Sequence, residues 1–125
     1  MMNEKLLEVL SHPADGEVAI VTQGIDSPHV VNTWNSYISV LPDRRMLIPA
    51  GRMKETEKNI ERNKMVKLTI GSREVQGLNY KGAGFLITGT AEFIKDGPVF
   101  NMIKEKFPWA RAVLEITIAT VVQTL

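Results

Sequence analysis

Three segments of this chain carry residue types that could do chemistry. The first is Asn32-Thr33-Trp34-Asn35-Ser36-Tyr37, which crowds two amides, three hydroxyls and two aromatic rings onto the end of the apolar stretch His29-Val30-Val31. A strand buried on both faces would waste these groups, because each buried polar atom must find a partner. Amides and hydroxyls suit the polar edges of a planar ligand, and Trp34 or Tyr37 suits a ring face. The block also reads as a strand with one wet face whose polar residues meet water. The second segment is Ile48-Pro49-Ala50-Gly51-Arg52-Met53-Lys54-Glu55-Thr56, a strand end that passes through a flexible Gly into a charged helix. Unpaired N–H groups at a helix start, together with the helix dipole, favour an anion, and Arg52, Lys54 and the Thr56 hydroxyl stand close in sequence. The spacing matches neither the phosphate loop ending Gly-Lys-Ser/Thr nor the Gly-rich dinucleotide fingerprint, so an ordinary strand-to-helix turn with solvated charges stays open. The third, Phe107-Pro108-Trp109-Ala110-Arg111, holds the second of two Trp residues. It reads as a packed corner under a helix or as aromatic capture of a ligand.

Other groups point away from chemistry. His12 and His29 are the only histidines and do not stand at metal-ligand spacing. The Glu55, Glu57 and Glu61 series reads as a solvated helix face, and Met46, Met53, Met65 and Met102 as core filler. Gly82-Ala83-Gly84 precedes a strand instead of opening a helix, so we read it as a hairpin loop. No side chain is an obvious acid or base, and no catalytic residue is assigned.

The elements that must position these segments follow from pattern. Residues 3–10 place Leu6, Leu7 and Leu10 on one helical stripe with Asn3 as cap, and His12-Pro13 stops it. Residues 17–22 and 29–34 are β-branched runs joined by Gly24-Ile25-Asp26-Ser27-Pro28, a hairpin. Residues 37–41 and 46–49 flank a turn at Pro42-Asp43-Arg44. Residues 53–63 are strong helix formers with charges at helical spacing. Strands are expected at 65–70, 85–93 and 111–121, with a Gly-containing loop at 71–84 and a bend or bulge at Gly89. A helix runs through residues 99–106, started by Asp96-Gly97-Pro98. Six or seven strands, two or three short helices and mostly hairpin connections argue for an antiparallel barrel with inserted helices, not a doubly wound α/β fold.

Composition bounds the rest. The 125 residues suffice for one domain with a real core. Fifteen Lys+Arg against 14 Asp+Glu leave a net charge of +1, too little to draw nucleic acid or an anionic membrane by bulk field. Zero Cys excludes disulfides and thiolate chemistry and fits a reducing cytoplasm. No secretory signal or membrane-spanning apolar run is expected.

In order along the chain, VVNTWNSY, IPAGRMKETEKNIERN, MVKLTIGS, FLITGTAEF and FPWARAVLEIT resemble the pyridoxamine 5′-phosphate oxidase-like FMN-binding split-barrel family, and most closely its small bacterial FMN-binding members. The similarity runs from about Glu8 to Leu125 and is sharpest at residues 32–37, at Lys54-x-Thr56-x-x-Asn59 and at Trp109-Ala110-Arg111. It implies that residues 1–125 form a single, mainly β domain, a six-stranded antiparallel split barrel, which pairs as a homodimer with one FMN at each of two interface sites. It further implies that Asn32, Thr33, Trp34 and Asn35 line the flavin ring, and that Ile48, Pro49, Ala50 and Gly51 run along ring and ribityl chain. Arg52, Met53, Lys54, Thr56 and Asn59 hold the phosphate, while Trp109 and Leu125 arrive from the partner subunit. Glu55 stands where relatives carry a basic residue, so either Lys54 takes over or Glu55 turns to solvent. The Arg-rich C-terminal stretch of vitamin-phosphate oxidases is missing from VVQTL. The function expected from the resemblance is an electron-carrying flavoprotein with an unidentified redox partner. The alternatives are an FMN-dependent reductase or oxidase of a small molecule and, from a different class, a cofactor-free ligand-binding barrel.

Overall fold

The computed structural model of the chain describes residues 3–125. Helix α1 (Glu4–Ser11) opens it, and the Asn3 side chain accepts a hydrogen bond from the Leu6 N–H at 3.0 Å, as the capping pattern requires. Strands β1 (Glu17–Gln23), β2 (Pro28–Trp34), β3 (Ser39–Val40) and β4 (Arg45–Ala50) follow, with a single 3₁₀ turn at Asn35–Tyr37 between β2 and β3. Helix α2 (Lys54–Arg62), β5 (Met65–Gln76), β6 (Lys81–Ile94), α3 (Gly97–Lys106) and β7 (Ala112–Gln123) complete the order. All seven strands join one antiparallel sheet in the order β2-β1-β5-β6-β7-β4-β3.

This sheet curls into a split barrel, with one strand more than the six implied by the resemblance. The additional strand is β3, a two-residue pairing of Ser39 and Val40 with Leu47 and Met46. It is shorter than the run expected at 37–41 because Tyr37 belongs to the 3₁₀ turn. A second correction concerns residues 71–84. They are not one loop: β5 and β6 pair through Gly71↔Gly84 and Ser72↔Ala83 as far as Gln76↔Lys81, so Gly82-Ala83-Gly84 lies within a strand. Of the glycines that signalled a loop, Gly71 and Gly77 permit close backbone approach, whereas Gly82 holds a positive φ of 119°. A Cβ on Gly71 would stand 3.2 Å from the Ala83 carbonyl oxygen, and Val75 beyond it is buried. The bulge expected at Gly89 is present as a register shift between Thr88 and Gly89 in the β6–β7 ladder.

Period-two alternation builds the core. Val18 and Ile20 of β1, Val66, Leu68 and Ile70 of β5, Phe85 and Ile87 of β6, and Leu114 and Ile116 of β7 point inward against Leu6 and Val9 of α1. In β4 the alternation splits between two cores. Met46 and Ile48 face the barrel interior, whereas Leu47 joins Val113 and Ile103 beneath α3. Burial on both faces holds β4 rigidly up to Ala50, where the second chemical segment begins. Among the described residues, no helix is long and apolar enough to cross a membrane.

Candidate functional site

The split in the barrel is where the three segments meet. β2 ends the sheet on one side, and the far end of β4 approaches it from the other. Between them lies a cleft of about 350 Å³ lined by Val31, Asn32, Thr33, Trp34, Tyr37, Pro49, Gly51, Arg52, Met53 and Trp109. As an edge strand, β2 leaves one side of its backbone without a partner strand, so peptide N–H and C=O groups are available beside the side chains. Asn32 and Trp34 sit on the exposed face of β2, while Thr33 between them turns inward and is buried.

The aromatic wall is held before any ligand arrives. Trp109 packs on Tyr37 and Phe107 at centroid distances of 5.5 and 5.7 Å, and Tyr37 meets Phe107 at 5.3 Å. Edge-on and tilted pairs of this kind contribute about 0.5–1.5 kcal/mol each beyond their buried area. Trp109 also lies over Gly51, where an added Cβ would come within 3.1 Å of the indole, so a side chain here would push against the ring. The turn that carries Trp109 is tied by the Lys104 ammonium donating to the Ala110 carbonyl at 2.6 Å, and by the Arg111 N–H donating to the Ala50 carbonyl at 2.9 Å. Trp34 and Trp109 nonetheless remain 46% and 50% exposed, a large apolar surface turned to the cleft and solvent.

At the floor of this cleft the chain makes an unusual turn. Met53 adopts φ 61°, ψ 35°, the left-handed region, and its side chain makes no capping hydrogen bond. For a non-glycine residue that conformation costs about 1–2 kcal/mol. The helical residue Lys54 follows directly, and a left-handed residue beside a right-handed one gathers successive N–H groups into a concavity that suits an anion. Helical geometry leaves the N–H groups of Lys54, Glu55 and Thr56 without intrahelical acceptors. Inside the same turn the Thr56 hydroxyl is fully buried and has no hydrogen-bond partner. A buried orphan hydroxyl at an uncapped helix start fits a hydrogen-bond acceptor from outside the chain. Arg52, Lys54 and Glu55 are exposed, and among the described residues neither cation is in an ion pair.

Glu57, one turn into α2, is neutralised: Lys95 Nζ stands 2.6 Å from one carboxylate oxygen and Arg111 Nη1 2.9 Å from the other. The Lys95 hydrogen bond holds this carboxyl below the usual range, against the opposing effect of burial and with help from Arg111. The first turn of α2 therefore presents donors outward while one of its two carboxylates is paired behind it.

The structure brings Asn32, Thr33, Trp34, Pro49, Gly51, Arg52 and Met53 together at the cleft, and Lys54 and Thr56 follow Met53 in the first turn of α2. Trp109, expected from a partner subunit, is here supplied by the same chain, over its own Gly51. Five other expected residues stand elsewhere. Ile48 and Ala50 are buried in the barrel wall. The Asn35 side-chain amide donates to the Gly71 carbonyl of β5 at 3.0 Å, and its Oδ1 has no partner. Leu125 rests on Gly84 and lines a separate groove of about 610 Å³ with Asp15, Gly16, Ile70, Phe85 and Thr124. Asn59 is buried behind Thr56, donating to the Thr22 hydroxyl at 3.0 Å and accepting from Arg62, so its side chain braces α2 against β1. Sequence reasoning omitted Val31 and Tyr37 from the cofactor set, although Tyr37 closes the polar block it had singled out. It gave no role to Arg111, and it read Glu57 as part of a solvated face, whereas this carboxylate is only 13% exposed and is paired with Lys95 and Arg111. The proximity of Arg111 to Glu57 arises from pairing β4 with β7, which no local pattern displays.

The residues fit an aromatic, phosphorylated group: an apolar slot with amide and hydroxyl edges, and at one end free N–H groups, two unpaired cations and an orphan hydroxyl. The comparisons with known proteins agree in fold. The chain is 50% identical over 125 residues, covering all of both chains, to a protein named FMN-binding protein from Nitratidesulfovibrio vulgaris (strain DSM 19637 / Miyazaki F). Its structure superposes on HupZ of Group A Streptococcus with a TM-score of 0.79 at 16% identity, covering 98% of this chain and 94% of that one. It also superposes on an FMN-binding protein from Syntrophomonas wolfei subsp. wolfei with a TM-score of 0.72 at 11% identity, covering 98% and 85%. The sequence pattern of the pyridoxamine 5′-phosphate oxidase family matches residues 2–125, and the chain belongs to that family.

Proposed function

We propose that this chain binds FMN non-covalently in the cleft between β2 and the end of β4, and that it carries electrons through the flavin to and from a redox partner in the cytoplasm. One observation carries the reading: the Thr56 hydroxyl is buried and unpartnered at an uncapped helix start, three residues after Met53, which lines a slot walled by Trp34, Tyr37 and Trp109. A phosphate satisfies that hydroxyl and the adjacent N–H groups at once, through charge-assisted bonds about twice as strong as neutral ones. Arg52 and Lys54 balance its charge from the solvent side, and Glu55, which is exposed, turns away from it. Asn32 and the unpaired edge of β2 supply polar contacts along the ring, while the aromatic wall excludes water from one ring face. The 50% identity to a protein named for FMN binding supports the same reading.

Bound FMN supplies reversible electron and hydride transfer, and the protein contributes placement and tuning of potential. No side chain at the cleft has the geometry of an acid or base for substrate chemistry, which favours electron carriage over turnover of a small molecule. The homodimer belongs to the same proposal. With two half-exposed Trp residues in the cleft, a flavin bound to one chain keeps an open apolar face, and Val122 and Leu125 form a second exposed apolar area at the C-terminal end. A second copy covers both in a single step, with the partner's C-terminal strand closing over the ring. The experiment that tests the phosphate placement is equilibrium binding to the Lys54→Ala/Thr56→Ala variant. FMN affinity falls by roughly two orders of magnitude while riboflavin affinity holds; equal loss of both ligands removes the phosphate from this turn.

A further inference from the structure

One side chain fixes the shape of the anion turn without standing in the cleft. Arg111 enters β7 two residues after Trp109, and its guanidinium donates twice to the Arg52 carbonyl, from Nε at 3.0 Å and from Nη2 at 2.6 Å. Its remaining arm pairs with Glu57 at 2.9 Å, its backbone N–H donates to the Ala50 carbonyl, and its plane lies 5.7 Å from the centre of the Phe93 ring. One residue thus ties the end of β4, the turn itself and the first turn of α2 to β7. Only a planar fork with several donors can make these contacts together, and Lys, with one charged nitrogen, cannot.

The consequence follows from peptide geometry. In a trans peptide the C=O and N–H vectors are antiparallel, so drawing the Arg52 carbonyl toward Arg111 sends the Met53 N–H to the opposite side. Met53 also holds an unfavourable left-handed conformation that needs an external restraint to persist. The structure assigns Arg111 as the positioning residue that clamps this peptide and thereby preorganises the phosphate-binding N–H groups. This assignment rests on the FMN reading above and goes one step further: affinity for the phosphate is controlled by a residue on the far side of the peptide from it. A competing role is simple neutralisation of Glu57, which Lys95 also provides.

The test compares FMN and riboflavin affinities of the refolded, flavin-free protein by fluorescence titration. The compared proteins are wild type, Arg111→Met, Arg111→Lys and Arg111→Met/Glu57→Gln, each checked for native circular dichroism. Wild type prefers FMN. In Arg111→Met that preference narrows by about tenfold or more, the size of one charge-assisted hydrogen bond, with riboflavin affinity within about twofold of wild type. Arg111→Lys, which keeps a cation for Glu57 but loses the fork, narrows it in the same direction and serves alone if the Met variant does not fold. Adding Glu57→Gln does not restore the preference. Undiminished preference in either single variant overturns the clamp, as does restoration by Glu57→Gln, which reduces Arg111 to a counter-charge. A wild type with no preference for FMN over riboflavin overturns the phosphate assignment itself, an outcome distinct from failure of the clamp.

Discussion

Thr56→Val separates a binding hydroxyl from a structural one, because the two roles predict opposite signs. In the structure the hydroxyl is fully buried and makes no hydrogen bond. An unsatisfied buried polar group costs about 1–3 kcal/mol, so replacing it by a methyl of nearly the same volume relieves that cost in the flavin-free protein. Valine keeps the β-branch and loses nothing in helix preference relative to threonine. Taking the low end, a gain of about 1 kcal/mol raises the melting midpoint of a domain this size by about 3–5 °C. Toward FMN the same change removes one hydrogen bond to a charged acceptor, about 1.5–3 kcal/mol, which is roughly a 10- to 150-fold weaker Kd. Riboflavin, with no phosphate, binds as before. Differential scanning fluorimetry of apo protein and parallel titrations with FMN and riboflavin read all three quantities. An apo protein destabilised by the substitution, or equal weakening of both ligands, refutes the reasoning, since the hydroxyl would then hold the fold and not the ligand.

Three further outcomes are expected. Because the folded-state pKa of Glu57 is depressed, its contribution is complete above the ordinary carboxyl value of about 4.3 and is lost as pH falls through the folded value. Wild-type stability therefore falls as pH drops below the ordinary carboxyl range. Glu57→Gln flattens part of that slope in thermal melts, the remainder belonging to Asp15 and Glu74, whose carboxyls are also lowered; an unchanged slope counts against the Lys95–Glu57–Arg111 cluster. With Trp34, Tyr37 and Trp109 against the ring, bound FMN is strongly quenched, and replacing both Trp residues by Phe brightens it. Holoprotein as bright as free FMN places those aromatics away from the flavin. Finally, Gly89→Ala would put a Cβ 2.3 Å from the Thr117 carbonyl oxygen. The bulge must then shift, and stability falls by about 2–3 kcal/mol in a urea titration; a loss under about 0.5 kcal/mol, the range of ordinary surface changes, shows that the bulge yields freely.

Local signals carried much of this molecule. The cap at Asn3, the period-two runs of β1, β5 and β7, and the helix-forming charge pattern of α2 appear where composition places them, because each is decided by neighbours close in sequence. The region 71–84 defied that logic. Its glycines look like a loop, yet they serve a long hairpin in which Gly71 lies close to the Ala83 carbonyl of the partner strand, a closeness set by the pairing and not by local sequence. Site residues divide the same way. Trp34, Gly51, Lys54 and Thr56 stood out by type and order, whereas the grip of Arg111 on the Arg52 carbonyl, 59 residues away, comes from the β4–β7 register, and Glu57 is paired by that same Arg111 and by Lys95 just after β6. Ile48 and Ala50 share a strand with site residues, but their side chains belong to the barrel wall.

The most direct test is the visible absorption spectrum of freshly purified protein, followed by release and identification of the chromophore and a thermal melt with added FMN. The account predicts two flavin bands, one FMN per chain, and for stripped protein a stability gain of about 2.7 kcal/mol at a free FMN concentration one hundred times Kd. Colourless protein whose melting midpoint does not move in excess FMN contradicts it.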